Sequence, residues 1–173
     1  PLGYIPGGTV NDVASSLGLS RDPVVAAQDI VHGKPFAIDI GAFGENRWFD
    51  YVAAFGLFTN VPYQTPQVDK RIWGRMAYFF NGVQALGEVH PVHARVSWDG
   101  KTVEADIIDG LVCSTTSVGG FKATRAVGEF GISMNDGLYE VVLIRDIKNL
   151  ADFSAVAAKL LWMDFSDENY FIT

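Results

Sequence analysis

Residues 92–107 constrain the fold of this chain more than any other stretch. Val92, Ala94, Val96 and Trp98 alternate with polar residues, Asp99-Gly100 follows, and Val103, Ala105 and Ile107 alternate back. A period of two puts the apolar side chains of a strand on one face, and an Asp-Gly pair adopts the positive backbone angles of the tight turn between antiparallel strands. The expected result is a hairpin with one apolar face, which must be covered. Gly110 to Thr116 and Leu138 to Arg145 read differently. They are nearly continuous apolar or β-branched runs, the pattern of strands covered on both faces.

Helical patterns flank this β-rich centre. Thr9 to Leu17 carries Val10, Val13, Ala14 and Leu17 on one face, with Gly18 placed to close the helix. Asp22-Pro23 opens a second helix with a capping side chain and a proline at the first helical position, and this helix runs to Gly33. Phe36 to Ile40 and Arg47 to Phe55 read as short strands around the polar loop Gly44-Glu45-Asn46. Ile72, Met76, Phe79, Phe80, Val83 and Leu86 recur at three and four, so Lys70 to Leu86 is expected to be helical, opened by Lys70, Arg71 and Arg75. A last helix is expected from about Ala151 to Trp162. The class that follows is α+β, an antiparallel β-sandwich with flanking helices.

Composition supports a packed domain and narrows the partners. The 173 residues are 49% apolar, and a globule of this size buries roughly 70% of its unfolded surface without metals or disulfides. A net charge of −7 opposes a nucleic-acid backbone, which is bound through basic clusters. Cys113 is the single cysteine, which rules out an internal disulfide and suits a reducing, cytoplasmic setting. No apolar run approaches the ~20 residues of a membrane span. An apolar face left over could close either the core or a homodimer.

Pro6-Gly7-Gly8-Thr9-Val10-Asn11-Asp12 is the stretch richest in chemistry. Two glycines can turn backbone N–H groups inward ahead of a helix, and such a loop can cradle a phosphate. It lacks the Gly-Lys-Ser/Thr ending of a P-loop. Thr9 followed three residues later by Asp12 is also a near capping box, which would satisfy the helix start with no ligand. Spacing leaves both readings open.

This run resembles the Gly-Thr-x-Asn-Asp segment of the diacylglycerol kinase catalytic family, which includes bacterial lipid kinases and sphingosine kinases. The likeness continues in order through Ile38-Asp39-Ile40-Gly41, Ala54-Phe55-Gly56-Leu57-Phe58-Thr59, Tyr63-Gln64-Thr65-Pro66, Gly74-Arg75-Met76-Ala77-Tyr78-Phe79, Ser117-Val118-Gly119-Gly120-Phe121 and Asn135-Asp136-Gly137-Leu138-Tyr139-Glu140-Val141-Val142. It covers nearly the whole chain, and the order makes it specific.

The resemblance implies an ATP-dependent kinase that phosphorylates the hydroxyl of a diacylglycerol-like or sphingoid lipid, working in the cytoplasm at a membrane surface. It implies the second, β-sandwich domain of the family fold over residues 34–173, with residues 1–33 as an edge of the nucleotide domain. Gly8, Thr9, Asn11 and Asp12 are the implied nucleotide-side residues. A Mg²⁺ site is implied at Asp136 with the backbone carbonyls of Ser133 and Leu138, a hard oxygen set suited to that ion. A plain turn at Asp136-Gly137 is the competing reading. The family's Gly-Gly-Asp-Gly-Thr loop and its Asp-Gly-Glu base segment do not occur in these residues. They are expected before Pro1 and beyond Thr173, so no catalytic residue is assigned within the chain, and the 173 residues alone are expected to be inactive. Ser114 stands where the family often has Asn, and Phe130 where it often has Pro.

A non-catalytic lipid-binding or protein-interaction module sharing the sandwich is the alternative. His90 and His93 should face opposite ways on a strand, against a zinc site. Cys113, in an apolar strand, reads as a core residue rather than a nucleophile.

Overall fold

The computed structural model describes residues 1–56, 90–118, 121–122, 132–161 and 164–173. They form two compact units: Pro1–Ala53 with Cys113–Glu140, and Ala54–Val112 with Val141–Thr173. The expected Lys70–Leu86 helix and its cationic start lie outside the described residues, as do Gly119, Gly120 and Phe130.

The first unit begins with two helices. Helix α1 spans Asp12–Leu17 and is closed by Gly18, whose N–H donates to the Ala14 carbonyl. It starts three residues later than the periodicity predicts, because Asn11 is held in the left-handed region (φ 57°) and cannot continue a helix backwards. Helix α2 spans Pro23–His32 as expected. The Asp22 carboxylate accepts the N–H groups of Val24 (2.8 Å) and Val25 (3.2 Å), and the Gly33 N–H closes on the Asp29 carbonyl.

Strands β1 (Gly41–Ala42) and β2 (Trp48–Phe49) pair antiparallel across the Gly44-Glu45-Asn46 loop. The strand expected over Phe36–Ile40 is not formed. That segment is tied by an isolated bond, Asp39 N–H to the Met134 carbonyl (2.7 Å), and Phe36 and Ile40 are exposed. Apolar alternation makes a strand only where a partner edge exists. The run from Arg47 is likewise broken by a bend at Asp50-Tyr51 before β3 (Val52–Gly56).

The second unit holds the main sheet. Strands β4 (Val92–Trp98) and β5 (Lys101–Cys113) form the expected hairpin, in register from Val92↔Ile107 to Trp98↔Lys101. Asp99 (φ 45°) and Gly100 (φ 76°) supply the turn. The return strand and the Gly110–Thr116 run as far as Cys113 are one continuous β5, and Ser114 to Thr116 leave the strand. A short ribbon of β6 (Ser117–Val118) and β7 (Phe121–Lys122) follows in the chain. The five-stranded sheet is then completed by β8 (Glu140–Arg145) and β9 (Phe171–Ile172), in the order β3-β5-β8-β9 with β4 also on β5. Every pairing with a described register is antiparallel, and the class is α+β as expected.

Alternation sorts the core of this unit onto the two faces of the sheet. Ala105, Ile107, Leu143 and Ile172 pack together, with Val96 and Trp98 against them. On the other face Ile108, Val142, Ile144 and Phe171 meet Phe153, Val156 and Ala157 of helix α3 (Leu150–Leu161). Lys159 bridges to Asp164 (3.6 Å) and Asp167 (3.4 Å) beyond the helix end.

Gly56 is required where it stands. Its φ is +102°, and a Cβ there would lie 2.3 Å from the Ile108 carbonyl oxygen and 2.7 Å from the Asp109 Cα. Both are backbone atoms of the buried β5, which cannot step aside. Replacing Gly56 by Ala should destabilise the fold by about 2–4 kcal/mol, from the strained dihedral together with the overpacking. A loss below about 1 kcal/mol in urea denaturation would contradict this geometry.

Candidate functional site

Both groups of residues singled out in the sequence, 8–12 and 133–138, fall in the first unit. The loop before α1 is folded by Asn11. Its side-chain carbonyl accepts the Gly8 N–H (2.8 Å) and its amide donates to the Gly8 carbonyl (2.7 Å). This reciprocal pair turns Asn11 into its left-handed conformation, and a Cβ on Gly8 would press within 3.0 Å of the Asn11 Oδ1. The capping-box alternative is thereby corrected: Asn11 rather than Thr9 occupies the cap position, and its side chain makes no capping bond to the helix. Thr9 and Gly7 are exposed.

Asp12 lies on the inner side of α1, 8% exposed, and accepts a 2.6 Å hydrogen bond from the Ser117 hydroxyl. A buried carboxylate is tolerated only with such donors. One turn on, Ser16 meets the Thr115 hydroxyl and lies 3.4 Å from that of Thr116. The Ser117 N–H closes the loop on Thr115 Oγ1 at 3.3 Å. Thus Asp12 and Ser16, on one face at i and i+4, grip the hydroxyl-rich run Ser114-Thr115-Thr116-Ser117. Asp12, with burial and Asp50, also holds the Tyr51 phenol above its usual pKa, burial being the larger cause.

The second group is a tight turn. The Asp136 carboxylate accepts the Leu138 N–H (3.0 Å), the Gly137 N–H donates to Asp39 (2.8 Å), and the Ser133 hydroxyl donates to Asn135 (2.6 Å). Asp136 is exposed, and Asp39 is anchored beside it. Among the described residues no three His, Cys, Asp or Glu side chains converge as a metal site would require. A cation held here would rely on one carboxylate, backbone carbonyls and water, a donor set of the kind Mg²⁺ accepts.

Three buried polar atoms near these segments lack a hydrogen-bond partner: Ser114 Oγ, Tyr139 OH and Glu140 Oε2. Burial raises the pKa of both Tyr139 and Glu140, with Asp39 adding to the first and Asp136 to the second. Cys113 is buried and its thiol is pushed up to about 11, chiefly by burial, which agrees with a core role. His93 bonds Asp106 across the β4/β5 hairpin (2.9 Å).

Sequence reasoning did not single out Ser117 as the partner of Asp12, or Asp39 as the anchor of the 136–138 turn. The second had a visible signal, a lone carboxylate between Ile38 and Ile40 in an apolar run. The first had none, since nothing local links residues 12 and 117.

Residues 1–43 match the diacylglycerol kinase catalytic domain. Over 172 residues, 99% of this chain and 55% of the relative, the chain is 33% identical to the diacylglycerol kinase of Bacillus subtilis strain 168. It is 32% identical to the diacylglycerol kinase of Staphylococcus aureus strain JH9 over 90% of this chain and 47% of the relative. The chain therefore spans about half the length of these curated relatives. A crystal structure of a diacylglycerol kinase from Bacillus anthracis strain Sterne has the same fold over 97% of this chain and 50% of its own, with a TM-score of 0.62 and 18% identity. A second structure from that organism reaches 0.65 at 20% identity, over 97% of this chain and 53% of its own.

Proposed function

We propose, from its likeness to diacylglycerol kinases, that this chain is the lipid-side part of an ATP-dependent lipid kinase that phosphorylates the hydroxyl of a diacylglycerol-like or sphingoid acceptor. The observation that carries the reading is the 33% identity that runs through 99% of the chain. The rest of the active site, including the Gly-Gly-Asp-Gly-Thr loop and the Asp-Gly-Glu base, is then supplied by further chain. In this reading residues 1–33 are an edge of the nucleotide domain and residues 34–173 belong to the sandwich domain, although residues 34–53 pack in one compact unit with residues 1–33.

Phosphoryl transfer is mainly positioning and charge neutralisation. Bound ATP and Mg²⁺ would supply the phosphoryl group and part of that neutralisation. In this reading the exposed Thr9 meets the nucleotide, while Gly8 and Asn11 hold the loop in the conformation that presents it. Asp12 is fixed behind the loop by Ser117. Asp136, with the carbonyls of Ser133 and Leu138, would hold the Mg²⁺. The acceptor reaches the site from a membrane surface, and no helix among the described residues is long and apolar enough to cross a membrane.

The test is transfer of labelled phosphate from ATP by the full-length protein, across diacylglycerol, sphingosine and phosphatidylglycerol vesicles. Turnover of one lipid is expected, with none from the 173 residues alone. Lipid binding without turnover by the full-length protein would favour the interaction-module reading instead. Thr9→Ala should raise the KM for ATP about tenfold, the worth of one to two hydrogen bonds, with an unchanged melting temperature. An unchanged KM would remove Thr9 from the nucleotide site.

A further inference from the structure

A cation eleven residues downstream is bonded to the loop at 8–12. The Arg21 Nη2 donates to the Val10 carbonyl at 2.8 Å, so the turn after α1 is tied back to the residue beside Thr9. Arg21 is exposed, as are Gly7, Gly8, Thr9 and Val10. It is also the one lysine or arginine among residues 1–33.

That contact uses little of the side chain. A guanidinium carries five N–H donors in a rigid fork and is charged at any physiological pH, and the Val10 carbonyl engages one nitrogen. Among the described residues Arg21 forms no ion pair. The neighbouring Asp22 is engaged by the start of α2, where its carboxylate accepts the N–H groups of Val24 and Val25. Asp12, the acid of the loop itself, is 8% exposed and bonded to Ser117. The carboxylates nearest to Arg21 in sequence therefore have other partners, and its charge stands beside the exposed Gly7-Gly8-Thr9 run. Asp12 gives that charge a purpose. A carboxylate behind a phosphate-binding loop repels an incoming phosphate unless a cation offsets it.

We propose that Arg21 is the phosphate-binding cation of the nucleotide-side loop: its bond to the Val10 carbonyl holds it beside Thr9, and its remaining N–H groups take phosphate oxygens of the bound nucleotide. This role depends on residues 8–12 meeting a nucleotide, as proposed for the kinase, and it brings in a residue outside the Gly-Thr-x-Asn-Asp run. A planar guanidinium can give a phosphate two parallel N–H···O bonds, whereas an ammonium offers a point charge. The affinity that Arg21 supplies should therefore grow with the number of phosphates and depend on the fork as well as on the charge.

The test is calorimetric titration of ATP, ADP, AMP and adenosine, with Mg²⁺ present, into the full-length protein and its Arg21 variants. Arg21→Gln keeps an amide donor for the Val10 carbonyl and removes the charge. It should weaken ATP about tenfold, the loss of a hydrogen bond to a charged group, and leave adenosine within about twofold. Arg21→Lys keeps the charge without the fork and should weaken ATP about threefold, again sparing adenosine. It serves as the second variant should Arg21→Gln not fold. The bond to Val10 is exposed, so both variants should melt within about 2 °C of wild type. Wild-type affinity for ATP in Arg21→Gln would overturn the proposal. An equal loss for ATP and adenosine would overturn it as well, because it would confine Arg21 to shaping the loop through Val10. So would a loss in Arg21→Lys as large as in Arg21→Gln. A wild-type protein that binds none of these nucleotides would overturn the kinase reading and this role with it. Nucleotide binding by wild type, without a phosphate-dependent loss in the variants, would overturn this role alone.

Discussion

Phe153→Ala should lower the stability of the fold by about 3–5 kcal/mol, the range for removing a fully buried aromatic side chain. Phe153 and Val156 are both 0% exposed and are the centre of the contact between α3 and one face of the main sheet. Ile108, Val142, Ile144 and Phe171 come from three different strands and meet there. The pocket they form cannot collapse without moving the sheet, so the cavity would persist. Urea denaturation followed by tryptophan fluorescence should show a midpoint lower by about 2 M at a typical slope for this size. Phe153→Leu should cost markedly less, because it restores much of the volume. A midpoint shift under 0.5 M for the alanine variant would mean that α3 is not the cover this packing describes.

Asp12→Ala should have the largest effect on function and a measurable one on stability. Removing the carboxylate leaves the Ser117 hydroxyl buried without its 2.6 Å acceptor, a cost of about 2–3 kcal/mol for a hydrogen bond to a charged group. A double-mutant cycle with Ser117→Ala should return a coupling of about 1–2 kcal/mol. Asp12→Asn separates structure from chemistry, since it retains an acceptor for Ser117 and removes the charge. In the full-length protein it should fold with near wild-type stability and, on the proposed kinase reading, raise the KM for ATP about tenfold by loosening the loop that presents Thr9. A wild-type KM in Asp12→Asn would confine this residue to a structural part.

Legibility followed the range of the interactions. The β4/β5 hairpin was readable because alternation and Asp99-Gly100 act over a few residues, and the same holds for the Asp22-Pro23 start of α2. Phe36–Ile40 shows the limit. Its apolar pattern meets no strand edge, and its backbone is tied to the Met134 loop instead. Thr9 shows another: residue types suited to a capping box were present, yet Asn11 reached back to Gly8 and moved the helix start to Asp12.

By itself the order of residues determined the α+β class, the hairpin and its turn, the capped second helix, and a string of segments that resembles one kinase family from end to end. Only tertiary structure decided what the chemically interesting residues touch. Asp12 meets Ser117 across 105 positions, and Asp39 holds the turn at Gly137 across 98. Of the four hydroxyls in the run 114–117, those of Thr115, Thr116 and Ser117 are the ones that meet Ser16 and Asp12 of α1. Strand periodicity and helix caps are set by backbone geometry within a turn or two. Whether a buried polar group is satisfied depends on which distant segment packs against it, and no local pattern encodes that partner.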